Sequence, residues 1–282
     1  MCKRIIALLL SSLMICFATG CNNSSGENLP EQEAQTTKDN NETNETESTQ
    51  MEELFGCQAE KIQSGLTDKK IMELYTNALE RGKTEGYTPV IVSVSDLLTS
   101  TIESNYDSFG GADEFRGNVL SAYELAGKEL LSGRYDELME FGGEEDFSAN
   151  DEEIEELLSQ PNGDRSYMPV SRFEDLYLVY VPTEKPYEIF AWLPFGGWNE
   201  CPSAEEMIYQ CRIWYEKYGA VPSFISSDML MLYLSEPVTD ISTAKEIARD
   251  HCVFCSDYLY MGGINEVTVG VLNANVWAFW WD

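Results

Sequence analysis

Apolar and polar positions divide the chain into three stretches. Residues 5–17 are apolar except for Ser11 and Ser12, residues 22–53 carry almost no apolar side chain, and beyond them the pattern changes period from segment to segment. In the last stretch Ile71, Leu74, Tyr75, Ala78 and Leu79 fall at i, i+3, i+4, i+7 and i+8 behind Thr67, which predicts a helix capped by Thr67 and closed by Gly82. A β-branched run within Tyr87–Val94 predicts a strand, closed by Ser95 and Asp96, which read as the next helix cap. A long helix is expected from about Asp113 to Ser132, with Phe115, Val119, Ala122, Ala126 and Leu130 on its inner stripe. The string Phe-Gly-Gly-x-acid-acid-Phe occurs at Phe109–Phe115 and again at Phe141–Phe147; two copies are too few for stacked repeats and read as two similar turns.

After a loop around Pro161–Arg172, Leu176–Val181 and Glu188–Leu193 read as strands separated by a Pro-bounded turn. Ser203 and Glu206 form a capping box for a helix whose inner stripe is Met207, Cys211, Trp214 and Tyr218. Val221–Ile225 and Met229–Leu234 are two further strands, Asp240 or Ser242 opens another helix, and Val276–Trp281 is a terminal strand. That strand is apolar on both faces, which places it in the middle of a covered sheet. The expected body is mixed α/β (α+β): a central sheet with a buried C-terminal aromatic strand and helices packed on it.

The first fifty residues set the compartment. Lys3 and Arg4 precede the apolar run, and Ala18, Thr19 and Gly20 lead into Cys21, which is the form of a secretion signal. The run is shorter than the roughly 20 residues a membrane-spanning helix needs. Its ending resembles the lipobox of bacterial lipoproteins, which implies cleavage and lipidation of Cys21, a membrane anchor on the extracytoplasmic face; ordinary cleavage with Cys21 left as a thiol is the plainer alternative. The Asn-, Glu-, Thr- and Ser-rich tract that follows has no core to offset the entropy of ordering and reads as a disordered acidic tether, which over about 30 residues has a span of roughly 30 Å. The expected organisation is a leader at 1–20, a tether at 21–55, a helix–strand–helix region at 56–175 and an α/β domain at 176–282. Asn41 and Asn44 head Asn-x-Thr triplets, which a lipobox-bearing bacterial context leaves unglycosylated.

Composition narrows the function classes. With 18 Lys+Arg against 49 Asp+Glu, the net charge is −31 over 282 residues, which repels phosphate backbones and argues against nucleic acid as a partner. Hydrophobic residues at 43% supply a sizeable core. The densest acidic stretch, Glu144–Glu156, does not fit a calcium loop: a template started at Asp146 puts Asp151 at the turn glycine and Leu157 at the bidentate Glu.

The strings WLPFGGWNECP (Trp192–Pro202), WYEKYGAVP (Trp214–Pro222), the helix ending at His251–Cys255 and the closing FWWD (Phe279–Asp282) together resemble the bacterial family labelled domain of unknown function 4253, over about residues 176–282. ERGKTEGYTPVIV (Glu80–Val92) is similar to the upstream part of longer members. The resemblance implies no settled activity, and since most members look cytoplasmic, an exported version departs from the family.

Five cysteines remain besides Cys21: Cys57, Cys201, Cys211, Cys252 and Cys255. Cys211 sits on an inner helical stripe and reads as core. Cys201 follows two glycines just before a helix start, where orphan amides favour a thiolate, and His251 is the single histidine. Three readings stay open for Cys201, His251, Cys252 and Cys255: a nucleophile with its base, a metal or redox cluster, or buried thiols beside a packed histidine. Cys201 and Cys255 fit the resembling family, whereas an aromatic residue is usual where Cys252 stands. Trp198, in a Gly-Gly loop with Asn199 and Glu200, is the surface binding candidate, while Trp277 and Trp281 share a strand face and read as core. The sequence therefore favours a non-enzymatic binding module for a protein or small-molecule ligand, with no cofactor, recognising through Gly196–Pro202. A cysteine-dependent enzyme is the alternative.

Overall fold

The computed structural model describes residues 49–160, 165–166 and 168–282; the leader, Cys21, both Asn-x-Thr triplets and most of the tether lie outside them. The end of the expected tether is helical at 49–55, and Phe55 is fully buried, so the folded body starts some residues earlier than composition indicates.

Among the described residues six strands form one mixed sheet: β1 (Gln58–Lys61), β2 (Thr88–Ser93), β3 (Leu176–Val181), β4 (Val221–Ile225), β5 (Met229–Tyr233) and β6 (Val276–Trp280), in the order β1-β3-β2-β4-β5-β6. Only β2 and β4 run parallel; the other neighbours are antiparallel. Side chains alternate between two cores. Val90 and Val92, Tyr177 and Val179, Leu230 and Leu232, and Trp277 and Phe279 point into the larger one. Ile91, Leu178, Met231 and Val276 point into the smaller. A sheet covered on both faces explains why β2 and β3 are buried at every position, β3 being apolar throughout and β2 polar only at its ends, Thr88 and Ser93.

The smaller core is closed by α1 (Asp68–Glu85), capped as expected by Thr67. Gly82 does not end it: the helix continues to Glu85, and Gly86 is the left-handed C-cap. On the side of the larger core lie α2 (Asp96–Phe109), α3 (Ala112–Phe141), α4 (Asp151–Leu158), α5 (Ala204–Tyr218), α6 (Ile241–Phe254), α7 (Asp257–Met261) and α8 (Gly263–Val271), with α4 packed on α8 outside that core. Ser95 caps α2, the Ser203–Glu206 capping box opens α5, and Asp240 caps α6.

Three further expectations are corrected. Pro186–Ala191 is a 3₁₀ helix rather than a strand, with Pro186 at its first turn and nearly every side chain buried, a case in which a short apolar run carries no reliable period. The inner stripe of α3 is Phe115, Val119, Tyr123, Gly127 and Leu131, a straight i+4 ridge. Leu130 is exposed, and Gly127 is buried because α5 crosses it, where a Cβ would stand 2.4 Å from the Glu205 carbonyl oxygen. Finally, β6 is an edge strand. Trp277, Phe279 and Trp281 are buried on one face, but on the other Ala278 is exposed and the half-buried Trp280 donates Nε1–H to Asp228 Oδ2 at 2.9 Å. The two Phe-Gly-Gly strings lie at opposite ends of α3, starting it and stopping it.

Candidate functional site

The loop between the 3₁₀ helix and α5 is held from three sides. From α2, Asn105 Nδ2 donates to the carbonyls of Pro194 (2.8 Å) and Gly196 (3.2 Å), and Tyr106 donates to that of Trp192 (2.5 Å). Within the loop, Trp198 Nε1 donates to Phe195 O at 3.0 Å, and the Gly197 amide to Pro202 O at 3.0 Å. Gly196 has no room for a side chain: a Cβ would stand 2.1 Å from Pro202 O and 2.5 Å from Met207 Cε. From α3, Arg134 Nη1 donates to Glu200 O at 2.9 Å while its Nε pairs with Glu206, the capping-box residue of α5. The C-terminus closes the third side, Asn199 donating to Asp282 O at 3.2 Å from a left-handed backbone (φ 44°).

Of the three expected binding residues, Asn199 and Glu200 are exposed, whereas Trp198 is half-buried with its N–H spent inside the loop. Trp198 therefore shapes the loop more than it offers a free indole.

The thiols take the opposite environment from the one expected of a nucleophile. Cys201 is 1% exposed, and burial pushes its thiol well up, with nearby Cys255 adding to the effect; Arg134 and the Gly197 amide pull the other way and lose. Two residues short of the α5 cap, desolvation outweighs the helix terminus. Cys252 and Cys255 are both pushed up to about 12 by burial, and the Cys255 thiol donates to Trp280 O at 3.2 Å. His251 is packed edge-on against Trp214, Trp277 and Phe279, with ring centroids 4.9, 4.9 and 4.6 Å away, and burial pushes its imidazole down to about 3. Its Nε2 has no hydrogen-bond partner. His251 Nε2 therefore makes no hydrogen bond to Cys201, and the Cys201 thiol is raised where an activated nucleophile would be lowered. Cys57, Cys201, Cys211, Cys252 and Cys255 are all free thiols, and no group of three His, Cys, Asp or Glu side chains suited to a metal ion occurs among the described residues.

A groove opens beside the braced loop. Arg134, Glu137, Leu138 and Phe141 of α3 form one wall; Glu200 of the loop and Val253, Ser256, Asp257 and Tyr260 from α6, α7 and the turn between them form the rest, around a volume of about 200 Å³. Phe141 is 89% and Tyr260 84% exposed, so two large rings stand free at its border. Sequence reasoning reached Glu200 but not the others. Phe141 lies in the second Phe-Gly-Gly string and Tyr260 on a five-residue helix, and no periodic pattern separates either from a core aromatic.

Residues 177–282 match the family described as a domain of unknown function (DUF4253). No curated protein and no solved structure matches the chain. The strings that carry the DUF4253 likeness have visible structural work. WLPFGGWNECP is the braced loop, Trp214 of WYEKYGAVP is the fully buried ring against which His251, Phe254 and Phe279 pack, and FWWD completes β6. The groove itself is shared: five of its nine lining residues fall inside the DUF4253 segment, and the α3 wall lies upstream of it.

Proposed function

We propose that this chain is a lipid-anchored extracytoplasmic binding module, tethered through Cys21 and recognising its ligand at the groove between α3, the 196–202 loop and α7. The observation that carries the recognition half is the pairing of a rigidly braced loop with two exposed aromatic rings across a preformed cleft. Large exposed rings are costly to leave in water and are the side chains interfaces use as anchors. Anchoring is supported by the lipobox-like ending at Cys21 and the core-less acidic tract after it. The DUF4253 likeness brings no activity of its own, and the burial of Cys201 and His251 favours packing over thiol chemistry.

Two experiments test the two halves. Metabolic labelling with palmitate is expected to mark the wild type and not Cys21→Ala; label retained by the variant, or absent from both, rejects the anchor. For recognition, residues 49–282 are used to select binders from a random peptide library. The selected peptides are expected to lose binding to Phe141→Ala/Tyr260→Ala, and peptides indifferent to that change place recognition elsewhere.

A further inference from the structure

The groove is acidic as well as aromatic. Glu137, Glu200 and Asp257 line it, and the Asp257 carboxyl is pushed up by burial and by the neighbouring charges of Asp282 and Glu200. Its single cation, Arg134, is already committed to Glu206 and Glu200. An anionic or neutral occupant would leave Glu137 and Asp257 without a cation, whereas a cation on a long hydrocarbon stem meets both features at once. Its stem lies along the rings and its charge reaches the carboxylates, the side-chain geometry of Arg and Lys.

The chain's own parts are excluded by sign. Residues 22–48 carry seven acids and one lysine, and a second copy brings another net charge of −31. We propose that the groove docks a basic, Arg- or Lys-rich segment of a different polypeptide, a reading that rests on the groove being the recognition surface. The 196–202 loop is the fixed wall, and Phe141 and Tyr260 are the stacking partners. Electrostatic attraction over the whole acidic body raises the encounter rate, and the groove supplies the specificity.

The test is fluorescence anisotropy of labelled hexa-arginine on residues 49–282 at about 0.15 M salt, where charges further apart than about 8 Å are largely screened. Glu137→Gln/Asp257→Asn is expected to weaken binding by about tenfold, and Phe141→Ala/Tyr260→Ala by several-fold with no change in charge. Glu152→Gln/Glu155→Gln, which removes the same charge from the exposed face of α4, is expected to change it less than twofold. Unfolding midpoints of the three variants establish that each is folded. Equal loss from the groove and α4 pairs, or no hexa-arginine binding at that salt, overturns the proposal. Groove-dependent library peptides that are neutral or acidic would overturn the basic ligand while leaving the groove as the recognition surface; a library without groove-dependent peptides removes both.

Discussion

At the scale of single residues, burial decides the chemistry. Cys201 occupies a position in sequence where a thiolate is plausible, yet its Sγ is enclosed beneath Gly196 and near Cys255, and the neutral thiol is the form this environment holds. Alkylation of the native protein at neutral pH is expected to leave Cys201 unmodified under conditions that fully modify free cysteine, with labelling only on unfolding; rapid native labelling located by peptide mass would reinstate the nucleophile. His251 carries a second consequence. Its imidazole ionises normally near 6.5 when unfolded and only near 3 when folded, so below pH 6.5 the unfolded chain takes up the proton first. Its contribution to stability is complete above pH 6.5 and falls by up to about 1.4 kcal/mol per pH unit as the pH drops from there towards 3. Between pH 7 and pH 5 the parent should therefore lose roughly 2 kcal/mol more than His251→Leu in urea unfolding. Parallel pH curves for the two would show that the ring is hydrated.

At the scale of elements, what was legible in the sequence is what local chemistry sets. Thr67, Ser95, Ser203 with Glu206, and Asp240 all cap the helices they announce, because an N-cap needs only a side-chain oxygen and the next three amides. β3 and β4 have their expected bounds, since each is a short, mainly apolar run that ends at turn residues. What failed depended on a distant partner. Gly127 looks like a helix weakness until α5 is laid across it, and the edge position of β6 follows from the strand order, which its own apolar sequence does not encode. The groove was half legible: the 196–202 loop stood out by its glycines, while its partnership with Phe141 and Tyr260 is tertiary. The burial of β6 leads to a sharp expectation. Removing Phe279–Asp282 takes two fully buried rings, Phe279 and Trp281, and the half-buried Trp280, and each fully buried ring typically contributes about 3 to 5 kcal/mol against a domain stability of roughly 5 to 15. Residues 49–278 should show no cooperative thermal transition, and a transition within a few degrees of the parent would mark the aromatic end as a dispensable tail.

At the scale of the molecule, the boundary of the DUF4253 likeness is not a boundary of the fold. β2, from the upstream region, lies between β3 and β4, so a fragment of residues 176–282 has no strand to join its own first strand to the rest of its sheet. That fragment alone is expected to lack cooperative unfolding by circular dichroism and to gain it when mixed with residues 49–175; an independently stable fragment would mean that the sheet rearranges without β2. The same interleaving puts the α3 wall of the groove against the wall within residues 177–282, so the proposed recognition surface depends on the whole folded body. The most direct measurement of that claim is amide chemical-shift mapping of residues 49–282 titrated with hexa-arginine. The account predicts shifts concentrated in 134–141, 198–202 and 253–260; shifts spread over the acidic face of α4 with those segments silent would contradict it.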